Sequence, residues 1–335
     1  MTVAERKYLS EFAVNLCSAR WQLILPHQLN SGLKITDALS LEISENCHIY
    51  LICKRPSSVF DPNNFSFDGK VVRGNIVYKI GGVETYLPFE LPFCLPADAV
   101  SLELAPYPHR EFECKNADGE VLTYFPAMAL SIEGVISNAS LQKLEVLYVG
   151  QAYAEGKRTA IDRLKSHSTL QRVLGDTHYS FPDDEILILT FEYSPYRVIS
   201  WVDGTEKKAI SGEKDITRFE SIMDNPLSKA QQISLAEAGL IRYFQPHYNV
   251  VYKDSFPSSD QALLDSCYHL DFSALIVEID TENLDIYLCS LKILPNQHHI
   301  AQFNLVDTSV RRGFFTFIGK DGKAVEMPNV ISRSK

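Results

Sequence analysis

The sequence predicts an α+β protein, with a small α/β domain of order β-β-α-β-α in the middle and β-rich segments on both sides. Three observations carry that prediction. The first third and the last quarter consist of short runs of β-branched and aromatic residues, broken by Gly, Pro, Asn and Asp. The middle changes to apolar residues at helical spacing, as at Ile161, Leu164, Leu170 and Val173. Within it, residues 185–191 are almost wholly apolar, as in a central strand covered on both faces. The expected segments are residues 1–126, 127–252 and 253–335.

Composition bounds the function. Apolar residue types make up 45 % of 335 residues, enough for a large core. A formal net charge of -10 excludes a surface that is basic all over, but not a local basic groove. Seven cysteines without a C-x-x-C pair are expected to be free thiols in a reducing compartment. Cys47-His48 with Cys53, and Cys267 with His269, each lack the matching half of a zinc site. The N-terminus does not have the form of a signal peptide, and no apolar run is long enough to span a bilayer. The expectation is therefore a soluble cytoplasmic protein without a membrane partner.

Taken in order, residues 4–20 are expected to be helical, with Tyr8, Phe12, Val14 and Leu16 as the apolar side. Residues 48–53 read as a strand ending before Pro56. Residues 70–74 and 75–80 read as successive strands, and Gly81-Gly82 as a turn into another. Residues 101–104 and 111–114 alternate similarly, followed by a turn at residues 116–119. This part is expected to form a small antiparallel barrel or sandwich. Residues 127–136 and 146–149 then read as two strands, 159–173 as a helix, and 216–244 as helical with a break near Pro226. Ser234 followed by Glu237 has capping-box spacing. Residues 272–279 and 284–289 suggest a hairpin, and 313–319 a further strand. Arg311, Arg312, Lys320, Lys323, Arg333 and Lys335 make the tail locally basic.

Two chemical motifs fail on spacing. Gly150 to Thr159 follows a strand and precedes a helix, but five residues separate Gly150 from Gly156, and Arg158 rather than Ser or Thr follows Lys157. Asp98 with Glu113 and Lys115 has the outline of an acid plus Glu-x-Lys nuclease triplet in turn-rich surroundings. Neither Gly-x-Ser-x-Gly nor His-Glu-x-x-His occurs.

The stretch from Val146 to Asn249 groups polar residues differently. Tyr148 ends a strand before Gly150, and Arg163 and His167 are spaced to share one helix face. Glu237 falls on a later helix, before Tyr248 and Asn249. Such a set suits phosphodiester hydrolysis. A carboxylate can hold a divalent ion, an arginine can offset growing phosphoryl charge, and a tyrosine or histidine can deprotonate or orient water.

Over about residues 127–251 these residues resemble the GIY-YIG nucleases. Tyr148-Val149-Gly150 resembles the second half of the motif, and Pro246 to Asn249 its closing Pro-x-x-Asn element. The resemblance implies Arg163 as catalytic arginine, His167 where several members carry histidine, and Glu237 as the single ligand of Mg2+ or Mn2+. It implies Gly150 and Asn249 as structural supports and DNA as substrate, with a role in restriction or phage defence. The flanking β segments are expected to recognise DNA or a protein partner. The first half of the motif is missing from the strand expected at residues 130–136, and Tyr124 lies too far upstream. Either Tyr148 or His167 then activates water alone, or Glu133 substitutes, or the domain binds DNA or protein without cleaving.

Overall fold

The apolar run at residues 185–191 lies inside a nine-stranded sheet, and a hydrophobic core on each of its two faces explains why it needs no polar face. A computed structural model describes residues 5–29, 38–153, 159–202, 204, 206–319 and 323–333. The chain is α+β. It runs through β1 (Ser10–Ile24), α1 (Ala38–Asn46) and β2 (Ile49–Pro56) into β3 (Ser58–Phe67), β4 (Val71–Ile80) and β5 (Val83–Pro92). Next come β6 (Ser101–Leu104), β7 (Glu111–Lys115), β8 (Val121–Pro126), α2 (Ala129–Ile132) and α3 (Ala139–Gln142). Then follow β9 (Lys143–Gln151), α4 (Ala160–Leu164), α5 (Ser168–Ser180), β10 (Asp184–Tyr193), β11 (Arg197–Val202), α6 (Glu213–Asp224) and α7 (Lys229–Phe244). The last elements are α8 (Asp265–His269), β12 (Ala274–Asp280), β13 (Tyr287–Cys289), β14 (His298–Asn304), β15 (Thr316–Ile318), β16 (Ala324–Glu326) and β17 (Val330–Ile331).

The large sheet has the order β13-β9-β2-β10-β1-β12-β14-β17, with β11 also paired to β1. It takes strands from all three segments expected from the sequence, so residues 126 and 252 do not separate one sheet from another. Side chains alternate across it. Ile49, Leu51 and Cys53 of β2, with Leu187, Leu189 and Phe191 of β10, pack with α7. Tyr50 and Ile52, with Ile186 and Ile188, pack on the opposite face against α4 and α5.

Several expectations change. Residues 10–24 are strand rather than helix. Phe12, Val14 and Leu16 recur every second residue, which is the strand period, and all three are buried. Residues 127–136 are not a strand. Ala129 to Ile132 form a short helix of good helix formers, and Gly134, at φ +71°, turns the chain after it. Residues 70–80 form one strand, because Gly74 continues β4 past a bulge in β3. A Cβ there would lie 2.3 Å from the Asn64 carbonyl oxygen. β12 and β13 form no hairpin: β12 lies between β1 and β14, while β13 joins β9. Of residues 313–319, only Thr316 to Ile318 are strand.

The tail is less basic in effect than in composition. Arg311 contacts Asp271 at 2.8 Å and Glu11 at 3.5 Å, Arg312 pairs with Glu206, and Arg333 lies over the Tyr268 ring. Lys320 and Lys335 lie outside the described residues. Glu113 pairs with Lys115 at 3.2 Å, and Asp98 is exposed. Among the described residues no helix is long and apolar enough to cross a membrane.

Between β2 and β9 the chain makes two three-stranded antiparallel sheets, β3-β4-β5 and β6-β7-β8. They share a core in which the Phe60 ring lies 5.6 Å from those of both Phe89 and Phe112. Arg55 fastens this module to the large sheet. Its fully buried guanidinium donates to Glu185 at 3.0 Å, to Ser131 Oγ at 2.9 Å and to the carbonyls of Leu141 at 2.6 Å and Met128 at 3.3 Å. Removing one partner from such a set strands the others. Arg55→Ala is expected to destabilise the protein by about 4 kcal/mol, read as a lowered midpoint in urea denaturation.

Candidate active site

β2 and β9 pair antiparallel, with Tyr50 opposite Gly150 and Ile52 opposite Tyr148. A register shift between Ile52 and Cys53 leaves Leu147 as an extra residue in β9, so Leu147 and Tyr148 both pack on the face that carries Tyr50. The Tyr50 and Tyr148 rings stack with centroids 6.1 Å apart. Gly150 makes room for them. A Cβ at that position would lie 2.6 Å from Tyr50 Cζ and Oη and 2.7 Å from Tyr148 Cε1.

The expected single helix over residues 159–173 is two helices. Thr159 caps α4 in a capping box with Asp162, and Arg163 lies in the last turn. The chain then breaks, and His167 becomes the N-cap of α5. Arg163 and His167 therefore do not share a helix face, yet both reach Tyr50. The Arg163 charge acts on the Tyr50 hydroxyl, and His167 Nε2 lies 3.3 Å from Tyr50 Oη.

The cap decides the state of the histidine. Its Nδ1 accepts the Leu170 main-chain N–H at 3.2 Å, so the ring proton resides on Nε2 and points at Tyr50. Burial, and then the Arg163 charge, lower the His167 pKa and keep the ring neutral. In this arrangement His167 is a donor to Tyr50 and has no free lone pair with which to deprotonate water. Burial raises the Tyr50 pKa, the Tyr148 charge adds to this, and Arg163 opposes it.

Glu237 is not a capping residue. Ser228 caps α7 in a capping box with Gln231, which leaves Ser234 and Glu237 inside the helix, one turn apart. Gln151, the last residue of β9, donates through Nε2 to Glu237 Oε2 at 2.8 Å and to Ser234 Oγ at 3.2 Å. Burial lifts the Glu237 carboxyl from an ordinary 4.5 to about 7, against the hydrogen bonds from Gln151 and the charge of Arg163. Behind the site, Asn249 acts as a short strand. Its side chain accepts the Val149 N–H and donates to the Val149 carbonyl, both at 2.9 Å, and the Tyr248 N–H donates to the Leu147 carbonyl at 3.0 Å. Tyr148, Arg163, His167 and Glu237 thus gather around Tyr50 and the end of β9, with Gly150 and Asn249 supporting that strand. The cluster runs from buried Tyr50 and His167 to exposed Arg163. Glu133 lies in the module after α2, and residues 154–158, which include the Gly156-Lys157-Arg158 run, are outside the described residues.

The chain matches no family model, no curated protein and no solved structure. The site is therefore argued from its own geometry. Among the described residues no three His, Cys, Asp or Glu side chains gather as a metal cage. Glu237, Gln151 and Ser234 instead offer one carboxylate beside neutral oxygen donors. That set fits Mg2+ or Mn2+, because small hard cations keep several waters and take one or two carboxylates plus phosphate oxygens.

Tyr50, Gln151 and Ser234 are absent from the sequence-derived site. Tyr50 was legible only as part of the strand at residues 48–53, and its pairing across the module was not. Two outcomes are expected. Gly150→Ala displaces both tyrosine rings and costs about 1–3 kcal/mol, visible in denaturation midpoints and in the near-UV dichroism of the tyrosines. Glu237 binds its proton more tightly folded than unfolded, so its contribution to stability falls as pH rises from about 4.5 to about 7. Arg163, Tyr50, Tyr148 and Tyr252 share the field of this carboxyl. In EDTA, Glu237→Gln is expected to match the wild type near pH 4.5 and to exceed it above pH 7, by on the order of 2 kcal/mol. Thermal melts across that range read the difference.

Proposed function

We propose that this chain is a divalent-metal-dependent endonuclease that hydrolyses DNA phosphodiester bonds through a GIY-YIG-like arrangement. The order β2, β9, α4 with α5, β10 and α7 follows β-β-α-β-α, with the β3–β8 module, α2 and α3 inserted between the first two strands and β11 and α6 between β10 and α7. The observation that carries the reading is Tyr50 opposite Gly150, its hydroxyl 3.3 Å from His167 Nε2 and in the field of Arg163, and its ring stacked on Tyr148. Tyr50 supplies the tyrosine sought in vain at residues 130–136. The alternative, a nuclease-fold binding subunit without turnover, draws on that gap and on the net charge of -10, and in this reading Tyr50 fills the gap.

The roles follow from the contacts. His167 directs its Nε2–H at the Tyr50 oxygen, and burial keeps the Tyr50 hydroxyl protonated. That hydroxyl orients an attacking water, whose proton would pass to solvent once a cation at Glu237 lowered its pKa. Arg163, exposed on its outer side, also offsets charge on the phosphoryl group. Tyr148 walls the water's position, and Gly150 lets the two rings approach. A divalent cation bound at Glu237 supplies polarisation of the phosphate and charge for the leaving oxygen. The β3–β8 module offers a surface for recognising DNA or a protein partner. A restriction or phage-defence role follows by analogy with the family. Seven free thiols suit the cytoplasm.

With Mg2+ the purified protein is expected to nick or cut supercoiled plasmid. Glu237→Ala should abolish cutting, and Tyr50→Phe should slow it by about 10²–10³-fold with the melting temperature preserved. Cutting by Glu237→Ala at the wild-type rate would remove Glu237 from the chemistry.

A further inference from the structure

Gln151 makes more contacts with α7 than a strand-end residue needs. Both protons of its amide are used, one on Glu237 Oε2 and one on Ser234 Oγ, and Ser234 Oγ lies 3.4 Å from Gln151 Oε1. The two α7 residues it bridges are three apart, so one amide sets both the helix register against β9 and the plane of the carboxylate. All these donors are neutral. They hold the carboxylate without cancelling its charge, as a lysine or arginine there would, and leave a divalent cation as the natural counter-charge.

We infer that Gln151, braced by Ser234, is the positioning residue that presents the Glu237 carboxylate to a divalent cation. This rests on the reading of Glu237 as the cation's ligand. A residue that only stabilised the fold would change melting behaviour and leave cation affinity alone. A positioning residue weakens affinity, and excess cation recovers the rate.

The test is Mn2+ binding by the full chain without DNA, followed by electron paramagnetic resonance, together with plasmid cleavage across a Mg2+ titration. Gln151→Leu is expected to raise the Mn2+ Kd by about 10–100-fold. The Mg2+ giving half-maximal cleavage should rise by a similar factor, with the rate at saturating Mg2+ largely retained. Gln151→Lys should bind Mn2+ more weakly still. If Gln151→Leu does not fold, Gln151→Asn carries the same test, its amide being one methylene too short. Wild-type affinity in a folded Gln151→Leu or Gln151→Asn overturns the inference while leaving Glu237 as ligand. Absence of Mn2+ binding by the wild-type chain overturns both.

Discussion

Everything at the site depends on a side chain that is not there. Gly150 gives Tyr50 and Tyr148 the space above one strand pair, and any Cβ would lie within 2.7 Å of both rings. That shared space places the Tyr50 oxygen under the influence of two basic side chains from separate helices. One is exposed Arg163 and the other is buried His167, whose second nitrogen is already tied to the first turn of α5. The helix break at residues 165–167 is thus part of the site, since a continuous helix would leave His167 without its capping bond.

β2 has two jobs along its length. Near its start Tyr50 faces α4 and α5, and near its end Arg55 gathers Glu185, Ser131 and two carbonyls that belong to the elements before β9. Glu237 enters from the other side of the sheet, on a helix whose buried residues pack against Leu51, Val146 and Val149. Its charge acts on Tyr50 and Tyr148 near the end of β9, where Gln151 holds the carboxylate.

How much of this the sequence revealed depends on how local the signal was. The doubly covered strand β10, the Gly81-Gly82 turn and the break before α7 rest on contacts within a few residues and were legible, whereas the capping box was placed at Ser234 rather than at Ser228. Tyr148, Arg163, His167, Glu237, Gly150 and Asn249 stood within one stretch of about a hundred residues. Tyr50 did not, because the β3–β8 module separates it from β9, and pairing across such a distance leaves no trace in spacing. The first strand failed for another reason. Tyr8, Phe12, Val14 and Leu16 satisfy a helical and a strand pattern together, and only burial on both faces of β1 decides between them. The helix over residues 159–173 failed because histidine is not a usual cap residue.

Lys54 lies opposite Glu145, so the chain leaves the large sheet and re-enters it at nearly one place. In topological terms β2 and β9 are a hairpin whose turn is a folded module. An open loop of that length would charge its closure entropy to the strand pair, whereas a folded module holds the two ends together at its own expense. The register that sets Tyr50 over Gly150 is therefore underwritten from outside the sheet. Loosening the module frees the strands to slip, and a slip of one residue would turn Tyr50 to the opposite face.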